Sequence, residues 1–390
     1  PNTGSSDSSA CVDADEGYYV PNAGSASQTA CSLGTYQSDE GQTSCDEADA
    51  GYYVDTMAAT DQTACDPGAY QPDTGQSSCI DASAGYYVDT MAATDQTACD
   101  PGTYQPDVGQ TSCEDADLGY YVSTSAATEQ TPASPGYYVN TTAATSQTAC
   151  AAGTYQPSSA QTSCIEASPG YYVPNSASFS QTACAAGTYQ PNGGSTSCYQ
   201  ASAGYYVSSI ASTNQTACSP GAYQPNQGQT SCLDADVGYY VDTTAATAQT
   251  ACGPGTYQPS TGQTSCIEAS PGYYVDSYAS ASQTACSPGT YQPNNASSSC
   301  HDASPGYYVP TTGAINQTAC SPGTYNPSSG SSSPTDCVLA SGGYYVASAG
   351  MAEQTSCSPG TYQPSTGQTS CIDSSPGYYV AANASTVQTP

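Results

Sequence analysis

A glycine followed two residues later by a tyrosine recurs along the chain with a fixed step. It falls at 17, 34, 51, 68, 85, 102, 119 and 136 and keeps the 17-residue step to 323, slips by three, and resumes at 343, 360 and 377. No other feature limits the fold so much. A unit of 17 residues cannot bury a core alone, so the chain must be an array in which each unit leans on its neighbours. The 22 copies are of two kinds. Type A reads Gly-Tyr-Tyr-Val, as at Gly51 to Val54, and type B reads Gly-Thr-Tyr-Gln or Gly-Ala-Tyr-Gln, as at Gly255 to Gln258. They alternate, which makes the larger period 34 residues.

Each unit reads as a short β-hairpin. Tyr-Tyr-Val and Thr-Tyr-Gln are β-prone, and Gln-Thr-Ala or Gln-Thr-Ser supplies the return strand. Between them lies turn chemistry such as Pro-Ser-Thr-Gly in type B, or an Ala/Thr/Ser arc such as Asp242 to Ala248 in type A. Gly or Pro interrupts too often for helix. The fold class expected is all-β and disulfide-rich, an elongated solenoid-like rod of stacked hairpins, with successive strands about 4.8 Å apart. One array runs through the chain. Residues 1–16 are a partial type B repeat and junction, 17–118 are acidic repeats, 119–135 are an extra type A unit, and 136–390 are further repeats. The opening residues fall in mid-unit, which reads as a window of a longer repetitive polypeptide.

Composition agrees with small modules. There is no Trp, Phe179 is the one Phe, and the apolar fraction is mostly Ala, Val, Tyr and Cys. Such residues cannot fill a large close-packed core, and modules with little core need covalent staples. The 21 cysteines supply them and point to an oxidising, secreted or cell-surface setting. Lys and Arg are absent against 32 acidic residues, a formal charge of −32. Without cations to meet phosphate, nucleic acid is excluded as a partner, as is electrostatic hold on anionic membranes. No apolar run reaches membrane-spanning length, so direct membrane insertion is not expected.

Cysteine spacing alternates 14 and 20, which allows bridges across either gap. Two irregularities decide. At Gly119 and Gly136 two type A units follow one another, and the missing type B unit takes both of its cysteines with it. The slip of three lies inside Cys320 to Cys337. Both favour bridges within type B: Cys31–Cys45, Cys65–Cys79, Cys99–Cys113, Cys150–Cys164, Cys184–Cys198, Cys218–Cys232, Cys252–Cys266, Cys286–Cys300, Cys320–Cys337 and Cys357–Cys371. Each closes a loop for roughly 3 kcal/mol on the chain-entropy model. Cys11 is left unpaired or as an inter-unit cysteine.

The motif Cys-x-Pro-Gly-Thr-Tyr-Gln-Pro-x-x-Gly-Gln-Thr-Ser-Cys, as at Cys252 to Cys266, resembles the cysteine-rich repeat of ephrin-receptor-like and tumour-necrosis-factor-receptor-like extracellular proteins. The resemblance spans nearly the whole chain. It implies extracellular rods of stapled hairpins in tandem and little about activity. One departure is systematic. Where the family has Cys-x-x-Cys at junctions, this chain has Cys79-Ile-Asp-Ala82, Cys164-Ile-Glu-Ala167 and Cys266-Ile-Glu-Ala269. That leaves type A units without a staple, to be held by tyrosine and stacking.

Few residues invite chemistry. Adjacent tyrosines such as Tyr52–Tyr53 and Tyr273–Tyr274 should send one ring into the stack and one outward. Ring-on-ring packing between hairpins is the main expectation, and an exposed aromatic ladder for glycans or filaments the other. Acids cluster at junctions, and Asp13, Asp15, Asp115, Asp117, Asp234 and Asp236 are weak calcium candidates, since calcium takes oxygen ligands. None has the spacing of a calcium loop, so solvated charge is the default and no metal or cofactor is assigned beyond loosely held calcium. His301 is the single histidine and has no cysteine to share a metal. No nucleophilic triad, redox Cys pair or phosphate loop is present, so no enzyme is expected. Sequons at Asn140, Asn214, Asn295, Asn316 and Asn383 offer N-glycosylation, and the Ser/Thr/Pro-rich arcs suit O-linked sugars. The sequence therefore reads as a glycosylated, secreted structural protein that self-associates into a filament, fibre or appendage. The alternatives are an adhesion or receptor-like stalk and, more weakly, a divalent-cation-binding matrix protein.

Overall fold

The computed structural model describes residues 11–390 as a succession of hairpins. The chain divides into two compact units, Pro1–Cys184 with Gln190–Cys198, and Ala185–Tyr189 with Tyr199–Pro390. Both are built alike. In type A, Tyr52–Tyr53 pairs antiparallel with Thr63–Ala64, Tyr52 opposite Ala64. In type B, Ala69–Tyr70 pairs with Ile80–Asp81, Tyr70 opposite Ile80. Every sheet has two strands. Strand pairing therefore stops inside each hairpin, and the spacing of strands in a sheet does not set the rise of the array.

What joins one hairpin to the next is a fixed set of three backbone hydrogen bonds. At the Gly34 to Gly51 step, the Gly34 N–H donates to the Val54 carbonyl at 2.8 Å and the Gln37 N–H to the Ala59 carbonyl at 3.0 Å. The Ala58 N–H donates back to the Cys31 carbonyl at 2.9 Å. Seventeen residues on, Gly51, Val54 and Gly75 make the same bonds to Gln71, Gln76 and Ala48. The sequence demands this, because two-residue strands leave most backbone groups unpaired and buried ones must find partners.

The glycine that frames each unit is required. Gly51 has φ +90°, and a Cβ there would lie 2.2 Å from the Ala92 carbonyl oxygen. Ala92 belongs to the unit after next, also type A. Likewise Gly34 sits against Gly75, type B on type B. Units of one type thus stack directly, two to a turn, so an uninterrupted alternating run has a type A column and a type B column.

The doubled type A units break this order. Gly102, of type B, meets the Ala143 carbonyl, and Gly119, of type A, meets that of Ala160. Ala143 belongs to a type A unit and Ala160 to a type B unit. Loss of one hairpin therefore exchanges the columns within the first compact unit, so that the stapled hairpins continue on the side the unstapled ones had occupied. The slip of three is absorbed locally by a 3₁₀ turn at Pro334–Asp336, capped by Ser333.

The core is a thread of small residues. From the Gly34 unit to the Gly343 unit, each buries its framing glycine, the residue three before it and the residue three after it. In type A these flanking residues are Ala and Val, as Ala48 and Val54. In type B they are Cys and Gln, as Cys65 and Gln71, with Asn326 in place of Gln in the Gly323 unit. The buried carboxamide is satisfied within its own loop: Gln71 Nε2 donates to the Ser78 carbonyl and Oε1 accepts from the Asp73 N–H. No bulky aliphatic is needed because backbone contacts fill the interior.

Ten disulfides close the type B hairpins, in the pairs Cys31–Cys45 through Cys357–Cys371 across the shorter gap. Their Cα atoms are 5.7–5.8 Å apart, inside the range for unstrained bridges. Cys11 is free and exposed.

Candidate functional site

The type A hairpins have a clasp of their own. Gln62 lies fourteen residues after Ala48, as Cys79 lies fourteen after Cys65. Ala and Gln thus occupy the two positions that type B gives to the bridge. The Gln62 Oε1 accepts from the Asp49 N–H at 2.6 Å, and its Nε2 donates to Asp49 Oδ2 at 2.8 Å. The backbone half of this clasp recurs in all twelve type A units, from Gln28 on Asp15 to Gln388 on Ser375. Type A is therefore not held by tyrosine and stacking alone. A glutamine side chain has taken over the covalent bridge's place.

This clasp accounts for three of the acidic candidates. Asp15, Asp117 and Asp236 each accept from the clasp amide, of Gln28, Gln130 and Gln249. Their neighbours Asp115 and Asp234 sit in the return strands of type B hairpins, exposed. Asp13 lies beside the Gly41 turn and Asp234 beside the Gly262 turn, each the turn of the next type B hairpin. At the equivalent place Thr74 Oγ1 donates to Glu47 Oε2 at 3.0 Å. The acids are spread along the column, and among the described residues no three His, Cys, Asp or Glu side chains converge as a metal site would require.

The tyrosines do not divide as alternation in a strand implies. Tyr52 and Tyr53 are both half-buried. Both sides of the short strand are partly covered, and each ring is covered by a different neighbour. The first ring lies under the turn of the next type A unit, as Tyr307 does under Gly350. The second lines a shallow groove at the step to type B. Tyr53 shares that groove with Asp66, Ser78 and Cys79, in a space of about 520 Å³; Tyr240 and Tyr345 line equivalent ones. Nor, among the described residues, do rings stack from hairpin to hairpin. The ring pairs found, Tyr189–Tyr199 and Tyr291–His301, lie across the two strands of single type B hairpins, centroids 5.9 Å apart. His301 is thereby placed as a cross-strand partner of tyrosine.

Among the phenols, Tyr36 and Tyr104 are shifted upward from the ordinary value. Desolvation leads in both. Asp49, Asp46 and Asp61 add to it at Tyr36, and Glu114, by hydrogen bond and by charge, with Asp117, at Tyr104. All five sequon asparagines, Asn140, Asn214, Asn295, Asn316 and Asn383, are exposed and lie outside the strands.

Residues 17–65 match the family described as tyrosine-protein kinase ephrin type A/B receptor-like. That segment holds a complete type A unit, a complete stapled type B unit and most of the next type A, and the rest of the chain repeats it. The chain is a cysteine-rich tandem-repeat protein, and this segment of it is ephrin-receptor-like. Comparison with curated proteins gave no match. Disulfides at this density and repeats of this kind are the mark of extracellular chains. No helix among the described residues is long and apolar enough to cross a membrane.

Proposed function

We propose that this array is a secreted structural protein that builds a fibre, filament or surface appendage and carries sugars on its exposed arcs. One observation carries the reading: the backbone bonds that dock one hairpin on the next recur from step to step along both compact units. Such an arrangement can be lengthened without changing any contact, which is what a structural array requires. The exposed sequons support glycosylation, and the bridges support an oxidising location. Calcium, if it binds, is held loosely by the dispersed acids.

A second reading, a receptor-like or adhesion stalk, is favoured by the match of residues 17–65 to a receptor-type repeat. A membrane span or globular head encoded next to these residues selects it; further repeats select the fibre. The array reading itself is tested by secreting the chain, weighing it unreduced for bridges and sugars, and imaging single particles in negative stain. Extended particles with ten bridges support it. Compact globules, or a fully reduced product, overturn it.

A further inference from the structure

The second compact unit displays a regular ladder that neither the repeat match nor the clasp explains. In type B the residue after the second bridging cysteine stands opposite the hairpin's tyrosine. From Tyr189 on, these pairs are Tyr189–Tyr199, Tyr223–Leu233, Tyr257–Ile267, Tyr291–His301, Tyr325–Val338 and Tyr362–Ile372. The second members are open to solvent: Tyr199 is 55 % exposed, Leu233 48 %, Ile267 45 %, Val338 49 % and Ile372 46 %. Type B stacks on type B here too, Gly187 against Gly228 and Gly221 against Gly262. The rungs therefore lie in one column, on one side of this unit. In the first compact unit the same place is mixed: Asp46 and Glu114 stand opposite Tyr36 and Tyr104, and Ile80 and Ile165 opposite Tyr70 and Tyr155, so only the second unit, from Tyr199 on, has a series free of acids.

We infer that this ladder is the lateral contact between two copies of the chain, formed by their second compact units. Three facts select a second copy as the occupant. Periodicity is the first: rungs that recur every 34 residues, with one three-residue stretch, are matched in spacing by another ladder of the same repeat. Charge is the second. The chain carries −32 with no cation, and 23 of its 32 acids precede Tyr199, which leaves nine from there on. Copies therefore repel least where the ladder is. Chemistry is the third, because five of the six rungs are aliphatic or tyrosine, His301 being the exception, and such side chains meet their like across an apolar contact. Each rung offers little area, so one contact is weak and pairing depends on several rungs engaging together. The inference extends the fibre reading by naming the surface through which filaments would bundle.

Sedimentation velocity of the full disulfide-bonded chain across a concentration series tests it. The probe is the chain itself, at low and high salt. The variant is Leu233→Asp with Ile267→Asp and Ile372→Glu. It copies Asp46 and Glu114, which sit at this place in hairpins of the same register, so the fold is expected to survive, and non-reduced mass and circular dichroism check that. Association of the native chain that tightens with salt, and a variant weakened at least tenfold, support the ladder. A native chain that stays monomeric throughout, or a variant that associates as well as the native chain, overturns it. So does native association that appears only with an added neutral polysaccharide, since the occupant would then be the glycan. None of these outcomes bears on whether single particles are extended, which is what the array reading predicts.

Discussion

The equivalence of glutamine clasp and disulfide can be tested at the doubled type A units. Between Cys113 and Cys150 no staple exists. The Gly136 hairpin is clasped only by Gln147, whose Oε1 accepts from the Ser134 N–H at 2.7 Å. Ala133 is fully buried and stands where type B has its first cysteine. Replacing Ala133 and Gln147 by Cys together should therefore create an eleventh bridge with Cα atoms near the 5.7–5.8 Å seen elsewhere. A loop of this length is worth about 3 kcal/mol by chain entropy. Loss of the clasp hydrogen bond returns about 1 kcal/mol. The net gain of about 2 kcal/mol slows amide exchange in the Gly136 hairpin by roughly 30-fold if local opening governs it. Non-reduced mass spectrometry counts the bridges, and peptic exchange mapping reads the protection. Trypsin is useless on a chain without Lys or Arg. Two new thiols that stay free while the native ten form, or an eleventh bridge that leaves exchange at Gly136 unchanged, would refute the equivalence.

Three further outcomes are expected. Gly51→Ala costs at least about 2 kcal/mol, because the residue has φ +90° and its Cβ would meet the Ala92 carbonyl oxygen at 2.2 Å; urea denaturation of the variant reads the loss. Ala58→Gly does the opposite. Ala58 holds φ 57°, a left-handed conformation that costs a non-glycine residue about 1 kcal/mol, so its melting temperature should rise. The third concerns Tyr104. Its folded-state pKa is raised, so between the unfolded and folded values the unfolded phenol ionises and the folded one does not. Stability is fully present below the unfolded value and falls as pH climbs through the folded one. Ultraviolet titration should find Tyr104 ionising later than in Glu114→Gln, and an unchanged titration would count against the Glu114 contact.

Much of the fold was legible because the repeat carries it twice over. The glycine step gives the hairpins, and the missing type B unit gives the pairing, since Cys113 and Cys150 have no partners nearer than those the structure joins them to. Other features were hidden in ordinary-looking residues. Gln62 reads as part of a β-prone return strand, yet its distance from Ala48 copies that from Cys65 to Cys79. Comparing the two unit types position by position could have exposed it. The exchange of columns at Gly119 could not be read from pattern, because it depends on units stacking two to a turn, which backbone contacts such as Gly34 to Gly75 establish. The tyrosines misled for a physical reason: alternation predicts opposite faces but not that one face is open, and both sides of Tyr52–Tyr53 are partly covered by neighbouring hairpins. Site chemistry was sparse in the sequence, and the acids at Asp15, Asp117 and Asp236 turn out to serve the clasps.

The central claim is that hairpins of both types are docked by the same three backbone bonds, whether or not a disulfide is present. Amide exchange resolved to single residues measures this most directly, at the framing glycines and at the residues three and seven after them. Slow exchange is predicted at Gly34, Gln37 and Ala58 of a stapled step, and also at Gly119, Val122 and Ala143, where no disulfide lies in either hairpin. Exchange at Gly119, Val122 and Ala143 as fast as in the exposed arcs would contradict the account.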